Sequence, residues 1–189
     1  MKVCEAGSGP AHDSLIFAEN GAEITAVDIS VNAIKNAKQI YSQLGYPIKT
    51  FIADIRELPF KDNNFDLVWN AGTLEHFENS DLEKIFEEMI RVTKEGGTVM
   101  VFVPNKYYFW YQWHLKILKL RRITRQYEFE RAFSIFFLIK LFRKYNLNNI
   151  KVSGVHVHPS PNFLIPKINF LTKILKLIFT PLENTKKLG

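Results

Sequence analysis

The sequence predicts an α/β fold, a doubly wound and mainly parallel sheet with helices on both faces. Three observations predict it. Over residues 1–105, short apolar runs alternate with stretches whose apolar residues recur every three or four positions. Strand, helix, strand, helix over this length requires parallel strands joined by right-handed crossovers, covered on both faces. Finally, 189 residues with no internal repeat and no linker read as one domain, long enough to bury a substantial core.

The elements follow in order. KVCEA (2–6) is a short strand running into GSGPAHD, a loop with two glycines. A helix is expected from Asp13 through Leu15, Ile16 and Ala18, stopped by Asn20-Gly21. EITAVD (23–28) is a second strand. Ser30 then caps a helix carrying Ala33, Ile34, Ala37, Ile40 and Tyr41 on one face, ended by Gly45 and Pro47. IKTFIAD (48–54) and FDLVWNA (65–71) are the third and fourth strands. A helix from about Asp81 to Thr93 aligns Leu82, Ile85, Phe86, Met89 and Ile90, and GTVMVFVPN is the fifth strand, released by Pro104. Ser134 opens a further helix with Phe137, Leu138, Leu141 and Phe142, and NNIKVSGVHVH reads as another strand.

Charge divides the chain. Residues 1–105 carry 9 Lys+Arg against 16 Asp+Glu, whereas residues 106–189 carry 16 against 3. The first part (1–105) reads as an enzyme core and the second (106–189) as a surface for something anionic, within one domain of 1–189. Lysine enrichment in a weakly constrained tail would give the same asymmetry. The single Cys4 excludes an internal disulfide framework and a cysteine-based zinc site, so a cytoplasmic protein is expected. Residues 1–30 lack the basic start and apolar run of a signal peptide, and no apolar run approaches the ~20 residues of a membrane span.

In open parallel sheets ligands sit beyond the carboxyl ends of the strands, where strand order reverses. There the chain places Glu5-Ala6-Gly7-Ser8-Gly9-Pro10-Ala11. Gly7 and Gly9 permit a tight turn and close approach of a ligand to backbone, although an ordinary strand-to-helix turn looks similar. Asp28, at the end of the second strand, is positioned to accept from both ribose hydroxyls of an adenosine-containing cofactor. It also suits the start of the following helix. Asp54 is a candidate acceptor for an adenine amino group, with Ile29 and Ile55 as apolar walls. The fourth strand delivers Asn70 and Ala71 to the same cleft, followed by Glu75 and His76. The glycine loop and Asp28 alone leave NAD and S-adenosylmethionine both open.

The ordered set EAGSGPA, TAVDIS, ADIRELPF, FDLVWNAGTLEHF and RVTKEGGTVMVFVPN resembles the small-molecule class I S-adenosylmethionine-dependent methyltransferases of the ubiquinone/menaquinone-biosynthesis type. The resemblance covers residues 1 to about 105 and extends loosely to about 155 through YEFERAFS. It implies a Rossmann-like fold and S-adenosylmethionine as cofactor. Gly7, Ser8 and Gly9 would form the cofactor loop, and Glu5 would lie beside the methionine end. Asp28 would hold the ribose and Asp54 the adenine, while Asn70 and Ala71 would line the methionine and sulfonium. The departures are Ala11 for a third glycine and Ala6 for a bulkier aliphatic residue. His76 is then the candidate base or acceptor-orienting group, with Glu75 second; a locally hydrogen-bonded histidine explains His76 equally.

The basic half fits two tasks. Aromatic residues from Tyr107 to Trp113 would wall the pocket of a small-molecule methyl acceptor, with Arg121, Arg122 and Arg125 meeting an anionic group. Alternatively this stretch and a segment bearing Leu171, Ile174, Leu175 and Ile178 opposite Lys173 and Lys176 would rest peripherally on an anionic inner-membrane surface, near a lipid- or glycan-linked acceptor. Packing of the aromatics in a core with solvated lysines outside is the plain alternative. No nucleic-acid motif is present, and no nucleic acid partner is expected. His156 and His158 share a strand face, but nothing nearby completes a metal site, so none is expected. The family ordinarily has helices before its first strand and an antiparallel strand at the end. A chain truncated at both ends, with six strands and an exposed edge, is therefore expected.

Overall fold

A computed structural model describes residues 1–108, 116, 131–147 and 149–154. Its elements are β1 (Lys2–Ala6), α1 (Leu15–Glu19), β2 (Glu23–Asp28), α2 (Val31–Leu44), β3 (Ile48–Ile52), β4 (Phe65–Ala71), a 3-10 turn (Leu74–His76), α3 (Asn79–Val92), β5 (Thr93–Phe102) and α4 (Ile135–Lys144). The chain forms two compact units, Met1–Pro104 with Phe129–Phe133, and Asn105–Glu128 with Ser134–Gly189.

The first unit contains a five-stranded sheet in the order β3-β2-β1-β4-β5, and every neighbouring pair is parallel. From β1 the chain steps outward through β2 to β3, then returns past β1 to β4 and β5. Right-handed crossovers in opposite directions put α1 and α2 on one face and α3 on the other. Side chains agree with that arrangement. Val3, Ile24, Ala26, Leu67 and Trp69 form one cluster with Ala18 of α1 and with Ala37 and Tyr41 of α2. On α3, Leu82, Ile85, Phe86 and Met89 follow helical spacing and are all fully buried, each contributing about 2 kcal/mol of hydrophobic stabilisation.

Local chemistry explains the boundaries. The Ser30 hydroxyl accepts from Ala33 N at 3.3 Å and caps α2. That helix closes at Gly45 (φ 77°), where Gly45 N donates to Ser42 O and Tyr46 N to Tyr41 O. The first helix is shorter than the sequence suggests, because Ser14 at its start turns its hydroxyl to Glu5 instead of capping. β3 stops at Ile52, short of the expected Asp54: Ala53 N still donates to Asp28 O, and Asp54 then accepts from Arg56 N in a side-chain turn. β5 starts at Thr93, immediately after α3, earlier than expected. Phe65 faces Thr93 but Leu67 faces Thr98, so residues 94–97 bulge out of the ladder. A Cβ on Gly97 would stand 2.7 Å from Thr93 Cγ2, and Gly96 has φ 74°. Glu88 and Arg91 of α3 secure the β3–β4 connection, accepting from Leu58 N and donating to the Leu58 and Phe60 carbonyls.

In the second unit, α4 begins after Ser134, as the sequence indicates, and buries Leu141. Tyr107 N and Tyr108 N both donate to Asn105. The strand expected at NNIKVSGVHVH is not formed over residues 149–154. They are exposed apart from the half-exposed Ile150, without the alternate burial a sheet strand requires. Arg121, Arg122, Arg125, His156, His158 and the Lys173/Lys176 segment lie outside the described residues. Among the described residues no helix is long and apolar enough to cross a membrane, and no group of three or more His, Cys, Asp or Glu could hold a metal ion.

Candidate functional site

Strand order reverses where β1 lies between β2 and β4, and the crevice beyond their carboxyl ends is the place for a ligand. The loop leaving β1 is fastened internally. Gly7 N and Ser8 N both donate to Val27 O (2.8 and 2.9 Å), Gly9 N donates to Asp28 Oδ2 (2.7 Å), and Ala11 N donates to Ser8 O (2.8 Å). Gly7, Gly9 and Ala11 all have positive φ, at 73°, 50° and 56°. Gly7 has no room for a side chain: an added Cβ would lie 2.7 Å from both Oγ1 and Cγ2 of Thr73, whose hydroxyl donates to Gly7 O at 2.8 Å. Above Gly9 the space is open. Ala11 tolerates its left-handed backbone as a fully buried residue whose carbonyl accepts from Tyr41 OH at 3.1 Å.

Glu5 is buried beneath this loop. Its Oε2 accepts from the Ser14 hydroxyl at 2.5 Å, and Ser14 Oγ accepts from Trp69 Nε1 at 3.2 Å. Burial pushes the Glu5 carboxyl up to about 8; the Ser14 hydrogen bond opposes the shift, and the negative charges of Asp13 and Asp28 add to it. The neighbouring Cys4 thiol is likewise pushed up by burial.

Asp28 is half-buried and bridges two backbone donors, Gly9 N on Oδ2 and Ser30 N on Oδ1 (2.8 Å). The adjacent Ile29 is exposed, at 70%, a large apolar side chain open to solvent beside the carboxylate. Ile55 is buried instead. Asp54 is engaged by Arg56, whose Nη2 lies 2.6 Å from Oδ2 and whose Nη1 reaches Asp81 at 3.2 Å. These contacts hold the Asp54 carboxyl below the usual carboxylate range. Arg56 carries no sequence signal of this role beyond its place two residues after an aspartate.

From β4, Asn70 is fully buried and its Nδ2 donates to Ala6 O, while its Oδ1 has no hydrogen-bond partner. Ala71 is half-buried at the strand end. Glu75 is buried in the 3-10 turn and His76 is exposed, with His76 N donating to Thr73 O. Glu5, Gly7, Ser8, Gly9, Asp28, Asn70 and Ala71 thus gather where β1, β2 and β4 end; Asp54 and Ile55 stand beyond β3. Thr73 and Trp69 were not evident from sequence, since only the adjacency of β1 and β4 brings them to the loop, and Ser14 turns to Glu5 only through the local path of the chain after β1. The adenosyl cofactor expected from the sequence fits this chain on two counts. The glycine loop leaves open space above Gly9, and the buried Asn70 Oδ1 is an acceptor in want of a donor.

A family model described as "Methyltransferase domain" matches residues 4–101, which is more than half of the chain. The chain belongs to the methyltransferase-domain family. Curated relatives of this methyltransferase-domain chain include the malonyl-[acyl-carrier protein] O-methyltransferase of Erwinia billingiae, 34% identical over 100 residues, covering 53% of this chain and 38% of the relative. The demethylmenaquinone methyltransferase of Streptomyces avermitilis is 33% identical over 101 residues, covering 53% and 41%. The match therefore spans well under two thirds of the length of these relatives. Among solved structures, a SAM-dependent methyltransferase from Methanosarcina mazei has a TM-score of 0.62 at 20% identity, covering 76% of this chain and 77% of that one. A Pyrococcus horikoshii protein has a TM-score of 0.55 at 27% identity, covering 64% and 53%. The parallel sheet with its helices is the class I, Rossmann-like methyltransferase fold.

Proposed function

We propose that this methyltransferase domain binds S-adenosylmethionine and transfers its methyl group to a small-molecule acceptor, lipid- or glycan-linked. The observation that carries the proposal is how the glycine loop uses its donors. Gly7, Ser8, Gly9 and Ala11 all direct their N–H groups to protein oxygens, and Pro10 has none. A dinucleotide cofactor needs such donors for its pyrophosphate. Around the loop stand the carboxylates of Asp13 and Asp28, which repel a pyrophosphate and suit a cofactor carrying positive charge.

When bound, S-adenosylmethionine supplies a methyl group already activated by its sulfonium. The chain's own task is to hold and align. Asp28 offers its remaining lone pairs to ribose hydroxyls, Ile29 an apolar face, and Asn70 Oδ1 an acceptor. Positioning an acceptor in line and excluding water is then the main source of rate enhancement. His76, exposed on the turn after β4, would take a proton from the acceptor or orient it, with Glu75 beside it.

The acceptors named for the relatives are a malonyl-[acyl-carrier protein] and a demethylmenaquinone. The excess of Lys and Arg over residues 106–189 supports an acceptor presented at an anionic membrane surface on the cytoplasmic side. Calorimetric titration is expected to show S-adenosylhomocysteine binding and no NAD binding; tight NAD binding without S-adenosylhomocysteine would overturn the proposal. Transfer of label from S-adenosylmethionine into a cell extract separates an enzyme from a module that only binds cofactor. Failure to sediment with anionic vesicles would remove the membrane part.

A further inference from the structure

A second site lies in the segment that rejoins the first unit at residues 131–133. Arg131 N donates to Glu75 O at 3.2 Å, and Phe133 N donates to Pro104 O at 2.8 Å. The segment thus spans from the turn after β4 to the exit of β5, at the carboxyl end of the sheet where an acceptor must enter. The Arg131 side chain is held in one pose. Its Nη1 donates to Asn79 Oδ1 at 2.9 Å, and its guanidinium lies 4.7 Å from the centre of the Phe133 ring, itself buried.

That pose leaves one edge of the guanidinium unused. Nε and Nη2 are both buried, and neither has a hydrogen-bond partner. Among the described residues Arg131 forms no ion pair; Glu78 is the one charged group whose field bears on it. Arg131 is half-buried as a whole, but these two atoms are enclosed, and buried polar groups in native proteins are almost always paired. The Nε/Nη2 edge presents two parallel N–H groups at the spacing of the two oxygens of a carboxylate.

We infer that Arg131 is a specificity residue that grips a carboxylate on the methyl acceptor through its Nε and Nη2. The inference rests on the methyltransferase reading for the word acceptor, and it narrows that acceptor to an acid. A planar carboxylate bridges both donors at once, whereas a neutral acceptor would leave them buried and unmade.

The test uses the full chain and follows the Nε–H signal of Arg131 by nitrogen-15 NMR, assigned against Arg131→Lys. Malonate, inorganic phosphate and dimethyl malonate are titrated with and without saturating S-adenosylhomocysteine. Malonate is expected to shift the signal saturably, dimethyl malonate is expected to leave it in place, and phosphate to bind more weakly than malonate. Arg131→Lys and Arg131→Met, followed through malonate-induced shifts of neighbouring backbone amides, are expected to bind malonate at least about tenfold more weakly. Unchanged S-adenosylhomocysteine affinity in both variants shows that the fold is intact. Three results would overturn the inference: no saturable shift with malonate, equal malonate affinity in the variants, or phosphate binding more tightly than malonate. Failure of the wild type to bind S-adenosylhomocysteine would instead sink the methyltransferase reading, and the malonate titration without it would still report on Arg131.

Discussion

The Thr73 hydroxyl donates to the Gly7 carbonyl at 2.8 Å while its Oγ1 and Cγ2 fill the place where a Cβ of residue 7 would stand. One contact thereby joins the loop after β1 to the loop after β4, across the crevice between them. Gly7→Ala combines a left-handed backbone, at about 1 kcal/mol, with a clash, and is expected to lower stability by about 3 kcal/mol in total. Thr73→Ala alone removes one hydrogen bond and is expected to lose about 1 kcal/mol. The double variant is expected to be more stable than the sum of the two by about 1 kcal/mol, measured by urea unfolding. Strict additivity would show that Thr73 does not fill the space over Gly7.

Glu5 makes stability depend on pH. Its folded carboxyl titrates at about 8, above the ordinary glutamate value, so the folded state holds a proton that the unfolded chain releases. The stabilisation is complete below the unfolded value and declines as pH rises through the window up to about 8. The slope there is expected to reach about 1 kcal/mol per pH unit for the cofactor-free protein. Glu5→Gln is expected to flatten that slope, and Ser14→Ala, which removes the hydrogen bond opposing the shift, to extend the window upward. Identical pH profiles for wild type and Glu5→Gln would contradict this.

Two aspartates at strand ends should respond differently. Asp28 holds Gly9 N and Ser30 N as well as the expected ribose. Asp28→Ala is expected to lose about 2 kcal/mol of stability and about a hundredfold in S-adenosylhomocysteine affinity. Asp54 is bound to the exposed Arg56, so Asp54→Asn is expected to leave the melting temperature nearly unchanged and to weaken S-adenosylhomocysteine binding about tenfold. Calorimetric titration and thermal unfolding of the two variants separate cofactor contact from loop support.

His76 faces solvent on the turn after β4. If it moves a proton of the acceptor, His76→Ala is expected to lower the turnover number about a hundredfold with S-adenosylhomocysteine affinity intact. An unchanged turnover number on the true acceptor removes it from the mechanism.

The limits of β1, β2 and β4 were readable to the residue, because buried parallel strands are short apolar runs bounded by turn residues or charge. α2 was equally plain from its cap and its terminal glycine. The start of β5 was hidden, since the bulge over 94–97 depends on register with β4, and register leaves no trace in one strand's sequence. At the site, glycines and strand-end acids are visible because their types and spacing carry the chemistry. Thr73, Ser14, Trp69 and Arg131 are ordinary residues in ordinary places until the fold sets them against Gly7, Glu5 and Glu75. Ala11 stood out as a missing glycine, and its φ of 56° explains why glycine would be at home there.

The sole cysteine of the chain, Cys4, sits wholly enclosed in the central strand, one residue before Glu5. Its sulfur meets an alkylating reagent only when that strand parts from its neighbours, and its raised pKa slows it further. The protein therefore carries a built-in clock for opening of its middle. The labelling rate reports how often β1 comes free, and slowing of that rate by an added compound marks the compound as one that binds the closed, folded state.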